Sequence, residues 1–163
     1  MIVKDKLHPD VPAWEVEVED LNIDVEKLDY KLQDGSLFRG LSTRFENKDS
    51  VLLKKIKNSL NIDYIKEKVP EYKEIDIKIF KDIPGFKLFP HEDAPHHKAF
   101  LMFNLTNNID STTFYDAEKK FLCKGPNKKY KGVFHILRTK PSILHAIENT
   151  SDKNRYTTIA FIK

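Results

Sequence analysis

His91 and Asp93 stand at positions i and i+2 of the stretch Asp82-Ile-Pro-Gly-Phe-Lys-Leu-Phe-Pro-His91-Glu-Asp93. In extended chain, residues two apart project to the same side, so an imidazole nitrogen and a carboxylate oxygen can converge on one ion. Two ligands are too few for a transition metal, and His-x-Asp arises by chance in many chains. His145, isolated far downstream, can supply a third donor if its strand faces the first. The result is a set of two histidines and one carboxylate, of the kind that occupies one face of an octahedral Fe(II) and leaves three adjacent positions open.

Those open positions decide the chemistry, because a bidentate 2-oxo acid can take two and dioxygen the third. A 2-oxo diacid also needs a distant anchor. Arg155 offers a cationic fork for a carboxylate, and Thr157, on the same side of a strand, offers a hydroxyl to the same group. Each of these two residues alone is ordinary at a strand start and has a purely structural reading.

The elements that must position them follow Pro70. Short β-rich runs separated by turn residues cover 74–80, 86–90, 99–105, 112–116, 119–123, 131–138, 142–147 and 156–162. Their close spacing leaves no room for βαβ crossovers and predicts two facing antiparallel sheets, a sandwich or jelly roll. Before Pro70 the pattern is mixed. Trp14, Val16 and Val18 alternate with glutamates, which predicts an edge strand within 8–22. Ile23, Val25, Leu28 and Leu32 have looser, helical spacing up to Asp34-Gly35. Asp49-Ser50 caps a helix with a stripe of Val51, Leu52, Leu53, Ile56 and Leu60, and a second helical piece spans Asp63 to Val69. The lysines opposite the stripe read as a solvated face. A chain of 163 residues is expected to form one domain. In it, 1–70 is a mixed support region and 71–163 a β core.

Residues 74–163 resemble the Fe(II)- and 2-oxoglutarate-dependent oxygenases, whose pattern is His-x-Asp, a distal His, then an Arg or Lys. The resemblance is carried by His91-Glu-Asp93, Lys98-Ala-Phe-Leu-Met-Phe-Asn-Leu105, Ser142-Ile-Leu-His145 and Arg155-Tyr-Thr157. It looks closest to the compact prolyl-hydroxylase-like members and their bacterial and phage relatives. It implies a mainly β fold, a double-stranded β-helix with N-terminal helices packed on one sheet. It further implies iron held by His91, Asp93 and His145, and 2-oxoglutarate held by Arg155 and Thr157. The implied reaction uses O2 to hydroxylate a protein side chain or small molecule, releasing succinate and CO2. Two features depart from the family. Asn104 stands where many relatives have a cosubstrate-binding tyrosine, which makes it a candidate contact, and Pro126-Asn-Lys-Lys-Tyr-Lys-Gly132 replaces the usual Pro-x-x-Gly turn.

Other residues receive structural readings. Glu92 should point away from the metal, His96 and His97 should lie at the rim, and His135 should be a hydrogen-bonded strand histidine. Phe86, Phe89, Phe100, Phe103, Phe114, Phe121 and Phe134 are expected between the sheets. No glycine-rich phosphate loop, CxxC pair or GxSxG elbow occurs, and five glycines do not suit a nucleotide fold.

Twenty-eight basic against 25 acidic side chains leave +3, too balanced to argue for nucleic acid or an anionic membrane, although lysines cluster over 119–131. One cysteine, no apolar leader and no run long enough to span a bilayer lead to the expectation of a cytoplasmic protein. Two other classes stay open on the sequence: a non-catalytic jelly-roll binding or assembly module, and a cupin-type metal enzyme not using 2-oxoglutarate. Against the latter, Asp93 stands where cupins usually place a second histidine.

Overall fold

Alternation of apolar and polar residues builds strands along nearly the whole chain, and a computed structural model describes residues 1–33 and 43–163. The N-terminal region supplies β1 (Ile2–His8), β2 (Val11–Glu17), β3 (Lys31–Leu32) and β4 (Arg44–Asn47), then α1 (Ser50–Ser59) and α2 (Ile62–Lys68). All eight runs expected after Pro70 are strands: β5 (Ile75–Asp82), β6 (Lys87–His91), β7 (Ala99–Asn104), β8 (Thr113–Tyr115), β9 (Phe121–Lys124), β10 (Lys131–Ile136), β11 (Leu144–Glu148) and β12 (Arg155–Ile162).

They form two antiparallel sheets. The larger has the order β1-β2-β10-β7-β12-β5-β4-β3, and the smaller β6-β11-β8-β9. Apolar residues fill both faces of the large sheet. Phe80, Phe100, Met102, Val133 and Ile159 meet Phe86, Phe114 and Ile147 between the sheets. On the opposite face Leu101, Phe103, Phe134 and Ala160 pack under Leu52, Ile56 and Ile65 of the helices. Each fully buried side chain of this kind contributes about 1.5–3 kcal/mol. The helices start where expected: Asp49 accepts a hydrogen bond from the Leu52 amide at 2.8 Å, and Asn61 from the Tyr64 amide at 3.0 Å.

Several expectations are corrected. The Trp14 strand is interior, because β1, which lacks a strong alternating pattern, pairs outside it. Residues 23–33 form no helix beyond a single 3-10 turn at Val25–Lys27, and Lys31 and Leu32 pair with β4. The expected stop at Asp34-Gly35 lies outside the described residues. Val51 is exposed, off the buried stripe. Among the phenylalanines, Phe103 and Phe134 belong to the helix-side core, whereas Phe89 and Phe121 lie exposed on the smaller sheet.

Two local features matter for the site. A turn over Ile83–Phe86, closed by the Phe86 amide on the Ile83 carbonyl at 3.1 Å, carries the chain from one sheet to the other. Gly85 takes φ +88 there after Pro84, which suits the third position of a type II turn. Asn149 staples this turn, donating to the Asp82 and Lys153 carbonyls at 2.9 and 2.8 Å. Gly132 lets β10 approach β7, since a Cβ there would lie 1.8 Å from the Met102 carbonyl oxygen.

Candidate metal centre

Leu88 and His91 are three residues apart on β6, a spacing that puts side chains on opposite faces of a regular strand. The pairing shifts register between Leu88↔Ile147 and His91↔His145, so a bulge at Phe89-Pro90 turns both side chains inward. Pro90 is tolerated because β6 is the edge of its sheet. The bulge thus delivers His91 opposite His145, with ring centroids 4.5 Å apart.

Asp93 joins them from the loop beyond β6, and Arg138 shapes that loop. Its guanidinium donates to the carbonyls of Asp93 and Ala94, the latter at 2.6 Å, and pairs with Glu92 at 2.9 Å. Glu92 also accepts from the Ser142 hydroxyl. Held by Arg138 and Ser142 rather than by the three converging donors, it ties the loop to the segment before β11.

The donor atoms of His91, Asp93 and His145 all lie within 4.8 Å of one another. Both histidine Nε2 atoms approach the same Asp93 oxygen, Oδ1, at 3.6 Å. His91 Nδ1 lies 2.7 Å from the Phe89 carbonyl, which can only accept, so Nδ1 carries the proton and Nε2 offers its lone pair inward. Burial pushes the Asp93 carboxyl up, and the two adjacent imidazoles, His145 foremost, pull it down by more when they carry a proton on Nε2, the place a metal would take, so it stays ionised. Burial lowers His145, against the pull of Asp93, and keeps it neutral. A carboxylate with neutral imidazoles is the protonation state that metal binding needs. Asp93 Oδ2 is buried without a hydrogen-bond partner among the described residues. The donor set therefore fits a divalent transition metal better than a closed ion pair.

From this end an inner wall runs along β7 to the other. His145 packs on Phe100 at 4.8 Å, and Arg155 Nη2 reaches the sulfur of Met102, two residues along, at 3.7 Å. Arg155 and Thr157 are both buried and face inward on β12, and neither Arg155 Nε nor Thr157 Oγ1 has a partner among the described residues. Burial pulls Arg155 below its ordinary value, opposed by Asp82, and the group remains a cation.

The remaining candidates are placed differently. The structure puts Asn104 to scaffolding use: its amide donates to the carbonyls of Pro126, Lys131 and Lys128, and its oxygen accepts from Asn108. With its amide so committed it is not carried forward as a cosubstrate contact. His135 is buried against Phe100 and Phe114, its Nδ1 3.3 Å from the Pro12 carbonyl. His97 stacks on Phe161 at 4.6 Å. Sequence reasoning missed Arg44, Asp82 and Arg138. One signal was available: Asp82 shares a strand face with Phe80, and an acid on an apolar face needs a partner.

No protein-family model matches the chain, and no curated protein matches it by sequence. Solved structures do match it. A Pseudomonas putida prolyl-4-hydroxylase superposes with a TM-score of 0.66 at 8% identity, covering 94% of each chain. The viral collagen prolyl hydroxylase of Paramecium Bursaria Chlorella virus-1, as its 2OG complex, gives 0.57 at 14% identity, covering 94% of this chain and 96% of that one. The fold is a double-stranded β-helix. At such identities the likeness speaks for the β-helix alone, and the chemistry rests on the residues inside it. No helix among the described residues is long and apolar enough to cross a membrane.

Proposed function

We propose that this β-helix is an Fe(II)- and 2-oxoglutarate-dependent dioxygenase that hydroxylates a peptidyl or small-molecule substrate. The observation that carries the reading is the convergence of His91, Asp93 and His145 on one point, at one end of an inner wall whose other end holds Arg155 and Thr157. The structural neighbours, two prolyl hydroxylases, support it.

In this reading His91, Asp93 and His145 hold the iron, and Arg155 with Thr157 receives the far carboxylate of 2-oxoglutarate. Iron, when bound, supplies the activation of O2 that couples decarboxylation of 2-oxoglutarate to hydroxylation. The chain supplies the rest. The Phe89 carbonyl holds the proton of His91 on Nδ1 and leaves Nε2 for the metal. Burial keeps His145 neutral, hence basic towards a metal rather than protonated. Phe100, Met102 and Phe114 are buried between the two ends, an apolar surrounding in which charge interactions strengthen.

The test is succinate formation from 2-oxoglutarate with Fe(II) and O2. Wild-type protein should form succinate, His91→Ala and Asp93→Ala should not, and Arg155→Ala should mainly raise the 2-oxoglutarate concentration required. Wild-type turnover in His91→Ala would contradict the reading.

A further inference from the structure

Arg155 can serve an incoming carboxylate only to the extent that Asp82 does not already occupy it, and the strand register governs that. Asp82 on β5 lies directly opposite Arg44 on β4 and Arg155 on β12, so the three form one cross-strand row. Asp82 is 0% exposed, Arg155 2% and Arg44 5%. Two guanidiniums around one carboxylate leave one unit of buried positive charge, which is costly without a further anion. Among the described residues the next carboxylate bearing on Arg155 is Asp110, whose oxygens are held by Thr150.

The two arginines do not share Asp82 evenly. Arg44 makes the bidentate pair, Nε to Oδ1 at 2.7 Å and Nη2 to Oδ2 at 2.9 Å. Its guanidinium sits 4.2 Å from the ring centroids of both Phe80 and Phe86, which fix its position. Arg155 has a single bond, Nη1 to Oδ2 at 3.0 Å. Among the described residues its Nη2 touches only the weak acceptor Met102 Sδ, and its Nε has no partner.

We propose that Arg44 and Asp82 form a positioning pair that sets the charge, and so the ligand specificity, of this end of the inner wall. Arg44 satisfies Asp82, and Arg155 is thereby held in place with donors and one net positive charge to spare. The ligand class that matches is a 2-oxo acid ending in a singly charged carboxylate. 2-Oxoglutarate brings the row to neutrality, whereas 2-oxopentanoate, of equal length but without the second carboxylate, leaves it charged. Without Arg44, Asp82 claims Arg155 and the site is neutral before any ligand arrives. The inference rests on the reading of Arg155 as cosubstrate anchor.

Calorimetric titration of both acids into the full-length protein loaded with Mn(II), a redox-inert stand-in for iron, tests it without turnover. Wild type should prefer 2-oxoglutarate. Arg44→Met should weaken 2-oxoglutarate binding roughly tenfold or more, with affinities for 2-oxopentanoate and Mn(II) unchanged. Arg44→Gln carries the same test where Arg44→Met does not fold. Arg44→Lys, which keeps the charge but loses the fork, should recover part of the preference. Wild-type 2-oxoglutarate affinity in the neutralised variants overturns the role of Arg44 and leaves the anchor standing. A wild type that binds both acids equally overturns the anchor and this inference together.

Discussion

His145 on β11 lies directly opposite His91 on β6, and both imidazoles reach the same oxygen of Asp93 at 3.6 Å. The opposition depends on the bulge at Phe89-Pro90, which rephases an edge strand, and on Arg138, which bends the following loop back towards β11.

Arg138 is therefore predicted to act on metal affinity from outside the candidate donor set. Arg138→Ala removes the pair with Glu92 and both loop-carbonyl contacts while leaving the inner core untouched. Affinity for Mn(II) or Fe(II) is expected to fall by roughly 10–100-fold, the usual range for groups that orient ligands. Metal titration followed by calorimetry measures it, and an unchanged affinity would mean the loop holds itself.

Thr157 and Thr158 make opposite predictions. Thr158 Oγ1 donates to the Lys78 carbonyl at 2.8 Å, so Thr158→Val should destabilise the fold by about 1 kcal/mol. The Thr157 hydroxyl is buried without a partner among the described residues, so Thr157→Val should leave stability unchanged or slightly raised. The same change should weaken 2-oxoglutarate binding. Thermal melts of the two variants, with and without 2-oxoglutarate, separate a structural threonine from one that serves the proposed cosubstrate.

The eight strands after Pro70 are legible because they depend on local spacing, and so is the closeness of His91 to Asp93, whereas the position of His145 beside them is set by the register of β11 on β6. Arg44 was not. Its role exists only through the register of β4 against β5, and nothing near residue 44 announces it. Alternation at Trp14, Val16 and Val18 predicts a strand but not its place in the sheet, which β1 sets by pairing outside it. Phe89 and Phe121 were read as core because composition does not say which face of a thin sheet is covered. Asn104 was assigned from a family position, yet its amide is consumed by loop carbonyls that no strand pattern reveals.

The buried His135 gives a pH dependence of stability. Burial, and to a lesser extent the nearby His145, lowers it from 6.5 in the unfolded chain to about 3. The unfolded chain takes up a proton below pH 6.5 that the folded one refuses, so stability falls as pH drops from 6.5 towards 3. The slope is about 1.4 kcal/mol per pH unit inside that window and flat above it. Urea melts of metal-free wild type and His135→Phe should show a shallower acid dependence in the variant. Parallel curves would assign the acid sensitivity to other groups.

The central claim is that His91, Asp93 and His145 hold iron with space for a chelating 2-oxo acid. Anaerobic addition of 2-oxoglutarate to the Fe(II)-loaded protein should produce the weak visible charge-transfer band of bidentate chelation in wild type, and no band in Asp93→Ala. A wild type that shows no band and no thermal shift from either iron or 2-oxoglutarate would contradict it.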